Sequence, residues 1–102
     1  MHPIKKGRVM MVTRQFRPQQ FETVCGIIRH KGRMEPMDSF YTLTMSYEDM
    51  DYILRVQMAK ECRLVVIQGL RRDTCGDGLW EPIQRNSLLL ALLELTVATG
   101  MD

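Results

Sequence analysis

The chain has 102 residues, of which 45% are apolar, and it carries 14 Lys and Arg, 12 Asp and Glu and three cysteines. This length and composition predict one globular domain spanning residues 1–102. No run approaches the roughly 20 apolar residues that a membrane-spanning helix needs, and we expect no membrane partner. The first residues lack a secretory cleavage pattern, and the cysteines form no CxxC pair, which favours a cytoplasmic protein.

Three strands are predicted in the first half of the chain. Arg8 to Arg14 is rich in Val and Met, and Phe21 to Arg29 repeats that pattern, with Gly26 indicating a bulge. The polar stretch from His30 to Asp38 predicts an exposed loop. Phe40 to Met45 alternates along its length, as expected of a strand with one covered face.

A helix is predicted to follow the third strand. Ser46, with an acidic residue three positions later, has the spacing of a helix N-cap, and further acids fall in the predicted first turn. The predicted helix ends near residue 61 or 62. Its apolar stripe consists of Met50, Ile53, Leu54 and Met58.

The last third of the chain predicts one or two strands and a second helix. Arg63 to Leu70 contains an apolar run typical of a buried strand. Leu79 to Gln84 is either an edge strand or, through Pro82, the start of the last helix, and the pattern leaves both open. Ser87 to Gly100 is composed mainly of apolar helix formers. The predicted order β-β-β-α-β-(β)-α is an α+β fold, a mostly antiparallel sheet of four or five strands covered by two helices.

Charge is distributed unevenly along the chain. Residues 1–34 hold eight bases and one acid, a net charge of +7, whereas the remainder holds six bases and eleven acids, a net charge of −5. Such asymmetry, with aromatic residues interleaved, favours binding of single-stranded DNA or RNA through phosphate contacts. A solvated basic surface with its aromatics in the core is the alternative. The candidate nucleic-acid-binding residues are Lys5, Lys6, Arg8, Arg14, Arg17, Arg29, Lys31 and Arg33.

The last predicted helix is apolar nearly all round, which a surface helix of a small monomer does not tolerate. We therefore expect a homodimer, with a helix clasped by a curved sheet within one chain as the alternative. A protein-interaction or regulatory module that docks a partner through this helix and the charge asymmetry is the alternative function. The candidate interface residues are Leu88, Leu89, Leu92, Leu93 and Leu95.

No motif in the sequence supports catalysis. Cys75 lies in the Asp- and Gly-rich segment 73–78, which predicts a turn, and no base is placed beside its thiol. His2 and His30 have no metal-ligand spacing to the cysteines. We expect a non-enzymatic protein without catalytic residues, metal or cofactor.

Overall fold

A computed structural model describes residues 12–35, 37, 39–74 and 78–100. Its six-stranded sheet is antiparallel throughout, in the order β1-β5-β4-β3-β2, with β6 also paired to β5. Together with two helices, this confirms the predicted α+β class. The elements are β1 (Val12–Gln15), α1 (Pro18–Lys31), β2 (Arg33–Glu35), β3 (Phe40–Tyr47), β4 (Met50–Ala59), β5 (Arg63–Asp73), β6 (Glu81–Pro82) and α2 (Asn86–Gly100).

The predicted second strand, Phe21 to Arg29, is wrong, because this segment belongs to helix α1. Pro18 occupies the first helical position, and the backbone N–H of Arg17 donates to Gln20 Oε1 over 3.4 Å. The Phe16 and Phe21 rings, 6.5 Å apart, pack across the helix start as a hydrophobic staple. The supposed bulge at Gly26 is a solvent-facing helical position.

The predicted helix after Ser46 is also wrong, because the segment forms strand β4 of a hairpin with β3. Its two-residue turn, Glu48 and Asp49, has φ angles of 50° and 67°, as in the type I′ turns that match the twist of paired strands. Ser46 does not cap a helix; it pairs across the hairpin with Asp51. Burial in this segment follows the two-residue period of a strand and not the helical period that the sequence predicts. Residues 52, 54 and 56 are buried, and their neighbours 53, 55 and 57 are half-buried.

The remaining strands follow the predictions more closely. Phe40 to Met45 lies within β3 and Arg63 to Leu70 within β5. Pro82 belongs to the short edge strand β6 and not to the last helix, which begins at Asn86. The predicted loop from 30 to 38 contains the end of α1 and strand β2. The first predicted strand is present over its last residues as β1, while residues 8–11 lie outside the described part of the chain.

Both helices pack on one face of the sheet. Leu43, Leu54 and Val66 from the strands and Ile28 and Leu93 from the helices belong to a single core and are almost fully buried. The Thr96 hydroxyl of α2 lies 3.6 Å from the sulfur of Met45. The opposite face of the sheet carries neither helix.

Gly69 on β5 packs directly under Leu89 of α2. A Cβ atom there would lie 2.2 Å from Leu89 Cδ2 and 3.3 Å from Leu54 Cδ2, and both of these leucines are fully buried. The absence of a side chain at residue 69 therefore sets the spacing between helix and sheet.

We predict that Gly69→Ala lowers the free energy of unfolding by roughly 1–3 kcal/mol through overpacking. Gly26→Ala is the matched control, because its added methyl group would meet no atom within 4 Å apart from its chain neighbours and the nearby backbone of its own helix. Replacing a glycine inside a helix should raise stability by roughly 0.5–1 kcal/mol. Urea denaturation of both variants measures the difference, and equal stabilities would contradict the close approach.

Candidate nucleic-acid interface

The face of the sheet that carries no helix, here called the open face, is built by the alternation of side chains along β2 to β5. Residues paired across antiparallel strands place their side chains on the same face, so the register defines its members. They are Arg33, Glu35, Phe40, Thr42, Thr44, Ser46, Asp51, Ile53, Arg55, Gln57, Arg63, Val65, Gln68, Leu70 and Arg72.

Two arginines on the open face stack against aromatic rings. The guanidinium carbon of Arg55 lies 5.9 Å from the centre of the Phe40 ring, and that of Arg72 lies 4.4 Å from the centre of the Trp80 ring. Arg55 also donates a hydrogen bond to the side-chain oxygen of Gln68 on β5. These contacts hold two flat cation–ring pairs against the sheet.

An apolar strip connects the two pairs. Thr44, Ile53 and Leu70 are register partners across β3, β4 and β5 and lie between the row of Arg55 and the row of Arg72. Ile53 and Leu70 are half-buried although no helix covers them. The open face therefore offers flat apolar surface flanked by cations.

A network of hydrogen bonds positions the carboxylate of Asp51 at one end of the face. Ser46 Oγ donates to Asp51 Oδ1 over 2.7 Å and Thr74 Oγ1 donates to the same atom over 3.1 Å. Arg72 Nη2 lies 3.6 Å from Asp51 Oδ2. The hydrogen bond from Ser46, then that from Thr74 and the neighbouring Arg72, lower the pKa of Asp51. Asp51 is therefore ionised at neutral pH.

The open face carries four arginines, Arg33, Arg55, Arg63 and Arg72, against two acids, Glu35 and Asp51. Both acids have partners, since Glu35 Oε2 accepts a hydrogen bond from Thr42 over 3.1 Å. Arg63 Nη2 lies 3.8 Å from Glu61 Oε1 in the turn before β5, so three acids lie beside the four arginines. The balance stays positive, which suits an anionic ligand.

The cations predicted from the N-terminal third are separated in the structure. Arg14 lies on β1, where its Nε is 2.6 Å from Glu94 Oε2 on α2, whereas Arg33 lies on β2 at the opposite edge of the sheet. Four strand spacings, about 19 Å, separate these edges. Arg17 precedes α1, and Arg29 and Lys31 lie in its last turn. Lys5, Lys6 and Arg8 lie outside the described residues.

Of the described cations in that set, only Arg33 lies on a strand of the open face, and Lys31 borders the same depression as Arg33 and Arg55. Arg14 is paired with an acid from the later part of the chain, and α1 carries the others away from β1. The first third of the chain therefore does not gather its described cations into one continuous patch.

The leucines assigned to a dimer interface are placed differently from the prediction. Leu89, Leu92 and Leu93 are 0%, 2% and 0% exposed because they face the core of their own chain. A second chain cannot contact them while the core is intact. Leu88 and Leu95 are half-buried, and Leu88 packs against the same core. The alternative of a helix packed on the sheet within one chain describes α2, and the homodimer itself stays a prediction.

No group of three or more His, Cys, Asp and Glu side chains among the residues that the structure describes has the arrangement of a metal site. No helix in the same part of the chain is long and apolar enough to cross a membrane.

Sequence reasoning missed Arg55, Arg72 and Trp80. The alternation of residues 52–57 contained the necessary signal, because it places Arg55 on the face opposite the buried residues once the segment is a strand. The contact between Trp80 and Arg72 joins a loop to β5, and no local pattern encodes such a contact.

Comparison with known proteins adds no relative: no family model, curated protein or solved structure matches the chain. The chemistry of the open face is therefore the basis for assigning a function.

The lowered pKa of Asp51 predicts a pH-dependent contribution to stability. A carboxylate whose pKa is depressed by folding stabilises the protein above its unfolded pKa, and this contribution is lost as the pH falls through the folded pKa. Asp51→Asn should therefore cost more stability at pH 7 than at an acidic pH below the ordinary aspartate pKa of about 3.9, because the contribution of the carboxylate is lost as it protonates. Urea titrations of both proteins at the two pH values measure this. Ser46→Ala, which removes the strongest donor, should reduce the pH dependence, and a pH-independent cost of Asp51→Asn would contradict the prediction.

Proposed function

We propose that the protein is a non-enzymatic domain that binds single-stranded nucleic acid, RNA or unpaired DNA, on the open face of its sheet. The observation that carries the proposal is the presence of two arginine–aromatic pairs, Arg55 with Phe40 and Arg72 with Trp80, on the sheet face that neither α1 nor α2 covers. Stacking surfaces combined with cations are the common chemistry of single-strand recognition.

The shape of the surface favours a single strand over a duplex. Bases of a single strand expose their flat faces, which stack on aromatic rings and on guanidinium planes. A duplex hides those faces within its own stack. The apolar strip of Ile53 and Leu70 is suited to bases and offers nothing to phosphate.

The phosphates of such a strand are contacted by the arginines. Arg33 lies on edge strand β2 and Arg63 at the start of β5. Arg55 on β4 and Arg72 on β5 lie over the rings of Phe40 and Trp80. Arginine presents several donors to phosphate and also stacks on rings, so it serves both parts of a nucleotide.

The proposed partner is the nucleic acid expected from the charge asymmetry. Most of the proposed contact surface, however, lies on the open face and not on the N-terminal cations. Lys5, Lys6 and Arg8 precede β1, and their contribution to binding stays a prediction. We place the protein in the cytoplasm, which the free thiols of Cys25 and Cys62 favour. Burial raises the pKa of Cys25, against the opposing effect of Arg29.

Substitution of the arginines distinguishes the open face from helix α1. Arg55→Gln and Arg72→Gln should each weaken binding of a fluorescent single-stranded oligonucleotide, measured by anisotropy at several salt concentrations. Four phosphate contacts predict a log–log salt slope of about −3, and each substitution should reduce its magnitude by about 0.7. Arg17→Gln and Arg29→Gln are the matched controls, because these exposed arginines flank and belong to α1. Weakening by the controls alone would contradict the proposal and favour the N-terminal cations.

The single tryptophan of the chain provides a direct report of stacking. We expect the fluorescence of Trp80 to be quenched when an oligonucleotide binds, because a base stacks beside the ring. Phe40→Ala should weaken binding at least about fivefold, since a base–aromatic stack contributes about 1–3 kcal/mol. Tyr47→Ala is the control, as Tyr47 is an exposed ring whose register partner is Met50. Absence of quenching with every single strand would favour a protein partner over nucleic acid.

A further inference from the structure

We propose, on the basis of the proposed function, that Asp51, Arg72 and Trp80 form a base-recognition subsite that selects guanine within the bound strand. The three side chains are contiguous: the guanidinium of Arg72 lies over the Trp80 ring at 4.4 Å, and its Nη2 lies 3.6 Å from Asp51 Oδ2. A flat stacking surface therefore adjoins a fixed carboxylate.

The carboxylate is held by groups other than the arginine. Both hydroxyl donors, Ser46 and Thr74, bind Oδ1 and leave Oδ2 to Arg72. The separation of 3.6 Å between Oδ2 and Arg72 is longer than a charge-assisted hydrogen bond, which is usually 2.7–2.9 Å. Among the described residues, Oδ2 therefore has no donor closer than Arg72, and the two hydroxyls hold the carboxylate in place beside the Arg72 guanidinium.

Arg72 has unused hydrogen-bonding capacity. Its Nε–H is buried and has no hydrogen-bond partner among the described residues, although a buried donor is ordinarily satisfied. The side chain is anchored by Trp80 and only loosely by Asp51. Such an arginine is suited to exchanging a weak internal contact for a strong contact with a nucleotide.

The chemistry of the bases makes guanine the best match for Oδ2. A base stacked on the Arg72 guanidinium presents its Watson–Crick edge towards the neighbouring carboxylate. Guanine offers two adjacent donors there, N1–H and the 2-amino group, and both can donate to Oδ2, because Oδ1 already accepts from two hydroxyls. Uracil offers one N–H between two carbonyl oxygens, and those oxygens are repelled by the negative charge. Adenine and cytosine each offer one amino group beside a ring nitrogen acceptor.

Oligonucleotides with one variable base test the inference on the full chain. Hexamers of uridine carrying one central guanine, adenine, cytosine or inosine, and the all-uridine hexamer, are compared by fluorescence anisotropy at one salt concentration. We expect guanine to bind about tenfold or more tightly than uridine, since hydrogen bonds to a charged acceptor are the stronger kind. Inosine, which keeps N1–H and lacks the 2-amino group, should lie between them.

Variants assign the preference to Asp51. Asp51→Asn should bring the affinities for the guanine and all-uridine hexamers to within about twofold, while binding of the all-uridine hexamer is retained. Glu35→Gln is the matched control, because Glu35 is the other open-face carboxylate and lies on β2, away from Trp80. It should keep the guanine preference. Inosine tests the same hydrogen bond in the unaltered protein, so the inference does not depend on the folding of any variant.

The outcomes separate the inference from the proposed function. Equal affinity for all hexamers, a preference for adenine or cytosine, or a guanine preference that survives Asp51→Asn would overturn the guanine subsite and leave single-strand binding intact. Failure of every hexamer to bind at low salt would overturn the proposed function, and the subsite with it.

Discussion

The structure depends on the packing of two helices against one face of a six-stranded sheet. Helices of 14 and 15 residues bury Ile28, Leu89 and Leu93 against the strands, and this burial supplies the core. Hydrophobic burial is the main favourable term in folding, so the covered face decides where every strand points its apolar residues. Because side chains alternate between the two faces along a strand, the intervening residues lie on the open face.

The open face is a consequence of that one-sided packing, and its composition makes it tolerable in water. Arginines with long aliphatic stems lie beside Ile53 and Leu70, and their guanidinium groups cover the rings of Phe40 and Trp80. A hydrogen bond between the side chains of Arg55 and Gln68 joins β4 to β5. The same groups that make this face tolerable in water are those that we propose as contacts for bases and phosphates, which links the architecture to the proposed function.

Much of the fold class was predictable, and the errors concern the period of the apolar residues. The segment that became α1 contains Val24 and Ile28 at helical spacing, but its β-branched residues favoured a strand. The segment that became β4 contains apolar residues that fit both a spacing of 3.6 and a spacing of two, and Ser46 resembled a helix cap. Because Tyr52, Leu54 and Val56 are all buried in the core, the segment forms a strand and not a helix. Local propensity is weak when tertiary packing can override it.

The sequence by itself determined an α+β protein with an apolar final helix and an uneven charge distribution, because composition and residue type survive any arrangement of the chain. Only the tertiary structure decided which cations lie together. It paired Arg14 with Glu94, carried Arg29 to the far end of α1 and brought Arg72 to Trp80. Such contacts arise when strands and helices distant in sequence pack together, and no local pattern records which charges will meet.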